Sequence, residues 1–561
     1  MRSIRLTIFL SLLLIGSFLG LTGRCFYLQY YKADHYTQAC LRQQVYTHLQ
    51  PQRGAILDCR GRVLAASNKV QIIFAQPGAI EDAKTTSSEL APFVDMGAHE
   101  ICKLILESRN PGFVKIKTTS DANECAAALR IHGIGVQSDG QRHYPTGRLT
   151  ANLLGFASLD NRGLEGIELK YDKELRGSPA QNTFLADVQR RPIALKEQGG
   201  VLTNGVGIVL TIDSTIQQFV RDELVRQYES YEAESAVAVV AEPKTGAILA
   251  MVSLPDFDPA EAGSTDPNHF RSRAITDWYE PGSIIKPFTV AAALDAGVVN
   301  KTEKIFCENG SYSGKGFGRI GEYRRGFGDL TVAEILINSS NIGMAKIGQR
   351  LGKDRLYAGM RLFGFGGKTG IELPGEVPGL LRPPGQWTGY SVTRIPFGQE
   401  ICVTSMQLVR AFCILANGGR LVRPFMVRAV VEANGKITEL NQPAPPVGYI
   451  IKPEVAEWLV KEALVRVVTE GTGKRAQLKP WQVFGKTGTA NIARSDAKGY
   501  SDSEYVASFI AGAPADDPAI VVLVSVRKPN RALGKGYTGG VVAAPVAAKI
   551  IERTLNYLGV R

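Results

Sequence analysis

The sequence predicts an α+β protein that one N-terminal helix holds in a membrane. Three observations lead to this prediction. Residues 6–23 form an uncharged run of 18 residues, apolar strand-like runs lie near both ends of residues 206–561, and long helical patterns lie between those runs. The chain of 561 residues is long enough to bury a sizeable core, and its 44% hydrophobic content excludes a disordered protein.

The uncharged run at 6–23 is just long enough to cross the hydrocarbon core of a bilayer as a helix. Arg2 and Arg5 precede it, and the first acidic residue is Asp34. The positive-inside rule therefore places the N-terminus in the cytoplasm and the bulk of the chain outside. A cleaved signal peptide and a buried helix are the alternatives, but no small-x-small cleavage site follows the run. We expect residues 1–36 to be a cytoplasmic tail and an uncleaved anchor.

The net charge of +12 is spread evenly along the chain. Residues 1–205 hold 24 Lys and Arg against 18 Asp and Glu, which leaves half of the positive charge for residues 206–561. Proteins that bind nucleic acid more often concentrate their charge on one arm or face, so we expect no nucleic-acid partner. A weakly basic body fits anionic membranes or wall polymers better.

A glycine-rich break at 196–206 predicts a boundary between two folded modules. Residues 37–205 alternate short apolar runs with turn residues, as expected of a mixed module. In residues 206–561, helical apolar spacing begins at Ser214, and residues 236–252 have the pattern of a β-hairpin. The other predicted elements are strands at 481–484, 505–510 and 520–526, helices at 284–296, 332–351, 405–416 and 453–469, and a surface loop at 442–448. Strands at both ends with helices between them predict one domain whose sheet joins the two ends.

Three short motifs point to acyl-transfer chemistry. They are Ser283-Ile284-Ile285-Lys286, Ser339-Ser340-Asn341 and Lys486-Thr487-Gly488-Thr489. In a helix, the spacing of the first motif brings a lysine amine within reach of a serine hydroxyl. The second motif lies in a helical stretch, and the third directly follows the strand predicted at 481–484. Ser-x-x-Lys, Ser-Asp-Asn and Lys-Thr-Gly are the known motif set of serine β-lactamases and penicillin-binding proteins.

Two of the motifs occur a second time, and we interpret both repeats as structural. Ser525 and Lys528 have the Ser-x-x-Lys spacing but lie in a predicted strand, where residues three apart point to opposite faces. The second Lys-Thr-Gly, at 368–370, lies in a glycine-rich, loop-like segment well before the last strands.

The distribution of histidines favours a lysine base. None of the six histidines lies beyond His269, so a Ser-His-Asp triad has no candidate within the motif regions. A lysine base must be neutral to accept a proton, and burial together with a nearby cation lowers the pKa of its amine. Lys286 is the expected base, and Lys486 can supply the cation.

The chain resembles the class B penicillin-binding proteins over most of its length. Residues 273–283, which end in Glu280-Pro281-Gly282-Ser283, are closer to the cell-division (FtsI) branch than to the elongation branch. The resemblance implies an elongated N-terminal pedestal, or dimerisation-type, module at 37–205. It also implies a β-lactamase-like transpeptidase domain at 206–561, with an antiparallel sheet and a helical subdomain. Other segments that carry the resemblance are 53–65, 142–145, 163–172, 210–213 and 539–545.

The resemblance also implies a role for each motif residue. Ser283 attacks the penultimate D-Ala carbonyl of a stem peptide, and Lys286 takes its proton. Ser339 relays a proton to the leaving amine, and Asn341 positions the substrate amide and Lys286. The terminal carboxylate is held by Lys486 and by the substrate-binding residues Thr487, Gly488 and Thr489. The backbone N–H groups of Ser283 and Thr489 form the oxyanion hole. No metal or organic cofactor is implied.

The implied function is crosslinking of peptidoglycan stem peptides during septal wall synthesis. The protein would be anchored in the inner (cytoplasmic) membrane of a bacterium, with its catalytic domain in the periplasm. Its partners would be the SEDS-family glycosyltransferase FtsW and other divisome membrane proteins, and β-lactams would acylate its serine. The alternatives are a D,D-carboxypeptidase, a β-lactam-hydrolysing relative and a non-catalytic divisome scaffold. A β-lactamase needs neither anchor nor N-terminal module, and a scaffold would be favoured by degenerate motifs.

Overall fold

The computed structural model describes residues 2–561 except 43, 50, 159, 187–191, 200, 324–325, 433–434, 440–447 and 495–498. Apart from Gly448, the surface loop predicted at 442–448 lies outside the described residues. The chain forms two compact units: Met1–Gln52 with Gly177–Gly205, and Arg53–Arg176 with Val206–Arg561.

The strands, in chain order, are β1 (Gln44–Leu49), β2 (Ile56–Leu57), β3 (Val63–Ala75), β4 (Val114–Thr119), β5 (Ile134–His143), β6 (Ala180–Ala186), β7 (Pro192–Gly199), β8 (Gly207–Leu210), β9 (Ser235–Ala241), β10 (Ile248–Leu254), β11 (Trp278–Tyr279), β12 (Lys304–Phe306), β13 (Ser311–Gly314), β14 (Gly318–Gly321), β15 (Asp329–Thr331), β16 (Val403–Thr404), β17 (Val427–Val431), β18 (Ile437–Glu439), β19 (Phe484–Ala493), β20 (Tyr500–Ala513) and β21 (Ile520–Arg527).

The α-helices are α1 (Arg2–Phe26), α2 (Ala33–Arg42), α3 (Ala83–Val94), α4 (Ala98–Glu107), α5 (Ala122–Ala128), α6 (Ala151–Leu154), α7 (Gly166–Lys170), α8 (Asp172–Arg176), α9 (Ser214–Ser230), α10 (Arg273–Thr276), α11 (Lys286–Asp295), α12 (Val332–Asn338), α13 (Asn341–Leu362), α14 (Ser391–Arg394), α15 (Ser405–Ala416), α16 (Pro453–Trp458), α17 (Leu464–Thr469), α18 (Gly539–Val542) and α19 (Ala544–Leu558).

The first unit contains the long apolar helix that the sequence predicts. Helix α1 continues as a π-helical turn over Tyr27–Tyr31. Within the 28-residue span Ile4–Tyr31, an 18-residue window has a mean hydropathy of 2.1 and is not buried against other parts of the protein. Among the described residues it is the one helix that is long and apolar enough to cross a membrane, so it fits a single-pass anchor. The unit also contains an antiparallel sheet in the order β1-β6-β7.

The second unit is built around a five-stranded antiparallel sheet in the order β10-β9-β21-β20-β19. The sheet pairs the hairpin β9–β10 with the C-terminal strands, which confirms the prediction that one sheet joins the two ends of residues 206–561. Both faces of its inner strands are buried. Along β9, Ala238 and Val240 contribute to one core, whereas Val237 and Val239 contribute to the other.

Helices cover both faces of this sheet. Helices α9 and α19 pack on one face, where Ile216, Val220 and Leu224 of α9 are buried as their spacing predicts. The other face carries α15 and belongs to the larger core, which also contains buried apolar residues of α11, α12 and α13. These three helices and α17 form the helical subdomain, and α17 contacts the edge strand β19.

A second sheet of seven strands, β18-β17-β8-β2-β3-β4 with β5 paired to β3, belongs to the same unit. Strand β2 pairs with β8, and β8 pairs with β17. Strand β3 is 13 residues long, and its C-terminal half shares a separate small core with β4, β5 and helices α3–α5. The sheet therefore includes strands from residues 53–143 and strands from both 207–210 and 427–439.

Two predicted elements are wrong in detail, and both lie at motifs. The strand predicted at 481–484 begins only at Phe484 and runs to Ala493, so Lys-Thr-Gly lies inside the strand rather than after it. The helix predicted at 332–351 is broken at Ser339, which has left-handed backbone angles (φ 58°, ψ 41°). The break arises because the Ser340 hydroxyl accepts a hydrogen bond from the Gly343 backbone N–H and starts a new helix.

Candidate active site

A cleft of about 200 Å³ lies between strand β19 and the helical subdomain, and the three motifs converge on it. Ser283, Ser339, Asn341, Thr487 and Thr489 line the cleft. Lys286 and Lys486 lie behind this lining with no exposed surface, and Gly488 occupies the strand position between the two threonines. The structure thus brings together all eight residues that the sequence singled out. None of the described residues that line the cleft is a histidine.

The candidate nucleophile Ser283 lies in a 3₁₀ turn, Gly282–Ile285, that leads directly into helix α11. Gly282 has a φ of 54° and donates its N–H to the carbonyl of Gly398 at 3.2 Å. A Cβ on Gly398 would lie 2.1 Å from the Gly282 carbonyl oxygen. Glycine at both positions therefore allows the backbone approach that sets the position of Ser283.

The Ser339 hydroxyl is the centre of the hydrogen-bond network. Its Oγ donates to Ser283 Oγ at 2.9 Å. The same oxygen accepts from Lys286 Nζ at 3.2 Å and from Lys486 Nζ at 3.1 Å. The left-handed conformation of Ser339 is unfavourable for a residue with a side chain. In this structure, that conformation occurs at the residue whose hydroxyl contacts Ser283 Oγ and the amines of Lys286 and Lys486.

The hydrogen bonds of Lys286 and the pKa of its amine suit it to act as a base. Its Nζ donates to the Ser339 carbonyl at 2.7 Å and to Asn341 Oδ1 at 2.8 Å. Burial holds the pKa of the Lys286 amine well below its usual range, and the charge of Lys486 lowers it further, while Glu322 acts in the opposite direction. An amine with such a pKa is neutral, and therefore basic, at a pH where an exposed lysine is protonated.

Lys486 is the second amine of the pair. Its Nζ donates to Ser339 Oγ and to the Thr487 carbonyl at 3.2 Å. Burial lowers the pKa of its amine to about 7. Because both amines contact the same hydroxyl, a proton on one disfavours a proton on the other, and the two titrate as a pair.

Strand β19 presents its threonines to the cleft because alternate residues of a strand share a face. Thr487 Oγ1 shares a hydrogen bond with Thr472 Oγ1 at 2.6 Å, and Thr489 Oγ1 accepts from the Gly539 N–H at 3.1 Å. A Cβ on Gly488 would lie 2.7 Å from the Ile284 side chain. The glycine thus lets the strand pack closely against the turn that holds the nucleophile.

The repeated motifs lie outside the cleft, in agreement with their predicted structural roles. Ser525 Oγ shares a buried hydrogen bond with Ser508 Oγ at 2.9 Å. Lys528 forms an ion pair with Glu234 at 2.8 Å. In the second Lys-Thr-Gly, the Thr369 hydroxyl donates to Glu376 at 2.5 Å.

Comparisons with known proteins agree with this geometry. The family model of the penicillin-binding protein transpeptidase domain matches residues 236–552, and that of the penicillin-binding protein dimerisation domain matches residues 48–210. Stage V sporulation protein D of Bacillus subtilis is 35% identical over 520 residues, which cover 91% of this chain and 79% of the relative. Peptidoglycan D,D-transpeptidase FtsI of Escherichia coli K12 is 30% identical over 549 residues, with coverages of 96% and 89%.

The chain belongs to the class B penicillin-binding proteins. Penicillin-binding protein 3 of Mycobacterium tuberculosis, solved in complex with aztreonam, superimposes on this penicillin-binding protein with a TM-score of 0.71. It is 25% identical and covers 92% of this chain and 98% of its own. The predicted architecture of an N-terminal apolar helix, a dimerisation module and a transpeptidase domain is confirmed, and the protein is a serine transpeptidase of this family.

Among the cleft residues of this penicillin-binding protein that sequence reasoning missed, Glu322 contacts the second motif. Glu322 lines the cleft, and its carboxylate binds the start of helix α13. It lies in the glycine-rich segment 314–328, which has neither helical nor strand periodicity. Nothing in the local sequence signals its position, because its partners come 18 to 20 residues later in the chain.

Proposed function

We propose that this penicillin-binding protein is a peptidoglycan D,D-transpeptidase that crosslinks stem peptides through an acyl-enzyme on Ser283. The observation that carries the proposal is the position of the Ser339 hydroxyl. It contacts Ser283 Oγ and both buried lysine amines, so the nucleophile and the groups that move its proton form one connected network.

Acylation begins with attack of Ser283 Oγ on the carbonyl carbon of the penultimate D-Ala. The hydroxyl proton passes to neutral Lys286, through Ser339 or after a small movement of the side chains. The backbone N–H groups of Ser283 and Thr489 stabilise the oxyanion that forms. When the tetrahedral intermediate collapses, the peptide C–N bond breaks. The terminal D-Ala leaves with a proton delivered through Ser339.

Lys486 and the strand residues Thr487, Gly488 and Thr489 hold the terminal carboxylate of the donor during this step. In the second half-reaction, an amine of a neighbouring stem peptide attacks the ester carbon, and Ser283 regains its proton. The new peptide bond replaces the one that was broken, so no energy source is required. A β-lactam acylates the same serine, consistent with the aztreonam complex of the Mycobacterium relative.

The same proposal covers the cellular setting. We propose the division of the chain into a tail and anchor at 1–36, an N-terminal module at 37–205 and a transpeptidase domain at 206–561. Arg2 and Arg5 support a cytoplasmic N-terminus and a periplasmic catalytic domain. The similarity to FtsI supports a septal role with the SEDS-family glycosyltransferase FtsW and other divisome membrane proteins as partners.

Two experiments test these proposals. Detergent-solubilised full-length protein is incubated with a donor peptide ending in D-Ala-D-Ala and an amine acceptor, and the products are identified by mass spectrometry. We expect a crosslinked product from the wild type and from Ser525→Ala, and none from Ser283→Ala. Release of D-Ala by hydrolysis alone would indicate a carboxypeptidase, and no release by folded protein would refute the proposal.

For the septal role, depletion of this protein from its bacterium should give filamentous cells, and round cells would contradict the septal role.

A further inference from the structure

Glu322 directly follows strand β14, and its carboxylate is hydrogen-bonded to the second motif, Ser339-Ser340-Asn341. Its Oε1 accepts from Ser340 Oγ at 2.5 Å and from the Ile342 N–H at 3.2 Å. Its Oε2 accepts from the Asn341 N–H at 2.8 Å. Three donors from consecutive residues thus converge on one carboxylate at the start of helix α13, where negative charge is favourable.

These bonds fix the orientation of Asn341. The backbone N–H of Asn341 is held by Glu322, and its side-chain Nδ2 donates to the Gly321 carbonyl at 3.3 Å. The remaining polar atom of the side chain, Oδ1, accepts from Lys286 Nζ at 2.8 Å. Glu322 is therefore connected to the candidate base through a single residue, and a change in its position is transmitted to Lys286.

Charge gives Glu322 a second effect on the site. Lys286 and Lys486 are both buried, and burial favours the neutral form of each amine. Glu322 is the carboxylate that acts on Lys286 in the opposite direction, by favouring its protonated form. Because the two amines titrate together, a negative charge that favours a proton on Lys286 favours one proton on the pair.

Other titratable groups also face Glu322. Tyr323 follows it in the chain, and the buried thiol of Cys307 has a pKa raised by its own burial and by the charge of Glu322. Lys346 of helix α13 is nearby, but its amine is already bonded to Glu308 at 2.5 Å. Among the residues that the structure describes around Glu322, the lysine pair is the group whose charge it balances.

We propose that Glu322 is a positioning residue that orients Asn341 and keeps one proton on the Lys286–Lys486 pair. One amine then serves as the base while the other carries the positive charge that the substrate carboxylate needs. Glu322 makes no bond to the reacting atoms. The inference rests on the proposed function, because it assumes that these amines serve acylation of Ser283.

The test is the pH dependence of Ser283 acylation by benzylpenicillin, measured as a second-order rate constant from pH 5 to 10 on the full-length protein. Glu322→Gln removes the charge but keeps an oxygen that can accept from the Asn341 N–H. Without the carboxylate Lys286 loses its proton more easily, and Lys486 titrates with it. Both limbs of the bell-shaped profile should therefore move to lower pH, by about one unit. Glu308→Gln is the matched control, because it removes a carboxylate that contacts α13 through Lys346, and its limbs should stay in place.

The possible outcomes separate the inference from the proposed function. If Glu322→Gln shows the wild-type limbs, whether or not its rate is lower, the inference is overturned and the proposed function stands. If the wild type is not acylated at any pH, both are overturned. Should Glu322→Gln fail to fold by circular dichroism, Glu322→Asp takes its place. This variant keeps the charge, so we expect slower acylation, with both limbs of the pH–rate profile at the wild-type pH. A shift of either limb along the pH axis would overturn the inference.

Discussion

Replacing Lys486 with methionine isolates the effect of one buried charge on the candidate base. Methionine fills a similar volume without a charge, so Lys286 then faces Glu322 without the opposing charge of Lys486. Because Lys486 lowers the pKa of Lys286 and Glu322 raises it, the substitution should raise that pKa. Less of the base is then neutral at pH 7, and the acidic limb of the acylation profile moves to higher pH.

The size of the effect follows from the geometry. Both amines contact Ser339 Oγ, at 3.2 and 3.1 Å. For an ordinary hydrogen-bonding angle at the oxygen, the two nitrogens are about 5 Å apart. At an effective dielectric constant of about 20, two charges at that distance repel by about 3 kcal/mol, which corresponds to a factor of about 100 in the fraction of neutral Lys286 at a pH below its pKa. The acylation rate at pH 7 should therefore fall about 100-fold and recover in large part by pH 9.

Stopped-flow acylation with a fluorescent penicillin measures this profile directly. The maximal rate of acylation is separated from the binding constant at each pH, because loss of Lys486 also weakens binding of the ligand carboxylate. Lys368→Met is the matched control, since it makes the same substitution at the exposed lysine of the second Lys-Thr-Gly, and it should behave as the wild type. An acidic limb of Lys486→Met at or below the wild-type pH would refute the reasoning.

Two further predictions concern stability and the placement of the nucleophile. Gly398→Ala places a Cβ 2.1 Å from the Gly282 carbonyl at a φ of 90°, so we expect a lower Tm and acylation at least about 10-fold slower, whereas Gly385→Ala, with no atom within 4 Å of its Cβ, should leave both unchanged. Burial alone would raise the pKa of Asp58, but hydrogen bonds from Arg62 and Ser214 hold it below its usual value. The ionised carboxylate stabilises the fold above the unfolded pKa of about 4, and this stabilisation is lost as the pH falls through the lower folded pKa. Asp58→Asn should therefore lower the free energy of unfolding at pH 7 by about 2 kcal/mol. In urea unfolding, the variant should also lose less stability than the wild type when the pH is lowered.

The sequence predicted the central sheet well because the inner strands are apolar on both faces. Strands β9 and β21 are continuous apolar runs, and the helix predicted at 405–416 is observed as Ser405–Ala416. Strand β19 was misplaced because Gly485, Lys486 and Gly488 do not follow a strand pattern. Its position comes from backbone pairing with β20, which is independent of side-chain identity.

The candidate site was predicted as a set of residues but not as a geometry. Motif spacing placed Lys286 near Ser283, yet it could not show that the Ser339 hydroxyl contacts both amines. That contact depends on the left-handed backbone of Ser339, which separates helices α12 and α13. The apolar spacing over 332–351 predicted one continuous helix and gave no sign of this break. Glu322 was missed for a related reason, because its partners lie 18 to 20 residues later in the chain and belong to another element.

The most direct test of the central claim is to trap the acyl-enzyme and locate it. Full-length protein is incubated with benzylpenicillin at neutral pH, its intact mass is measured, and the modified peptide is sequenced by mass spectrometry. We predict one penicilloyl group per chain, attached to Ser283, and no adduct on Ser283→Ala. An adduct on any other residue, or labelling of Ser283→Ala at the wild-type rate, would contradict the account.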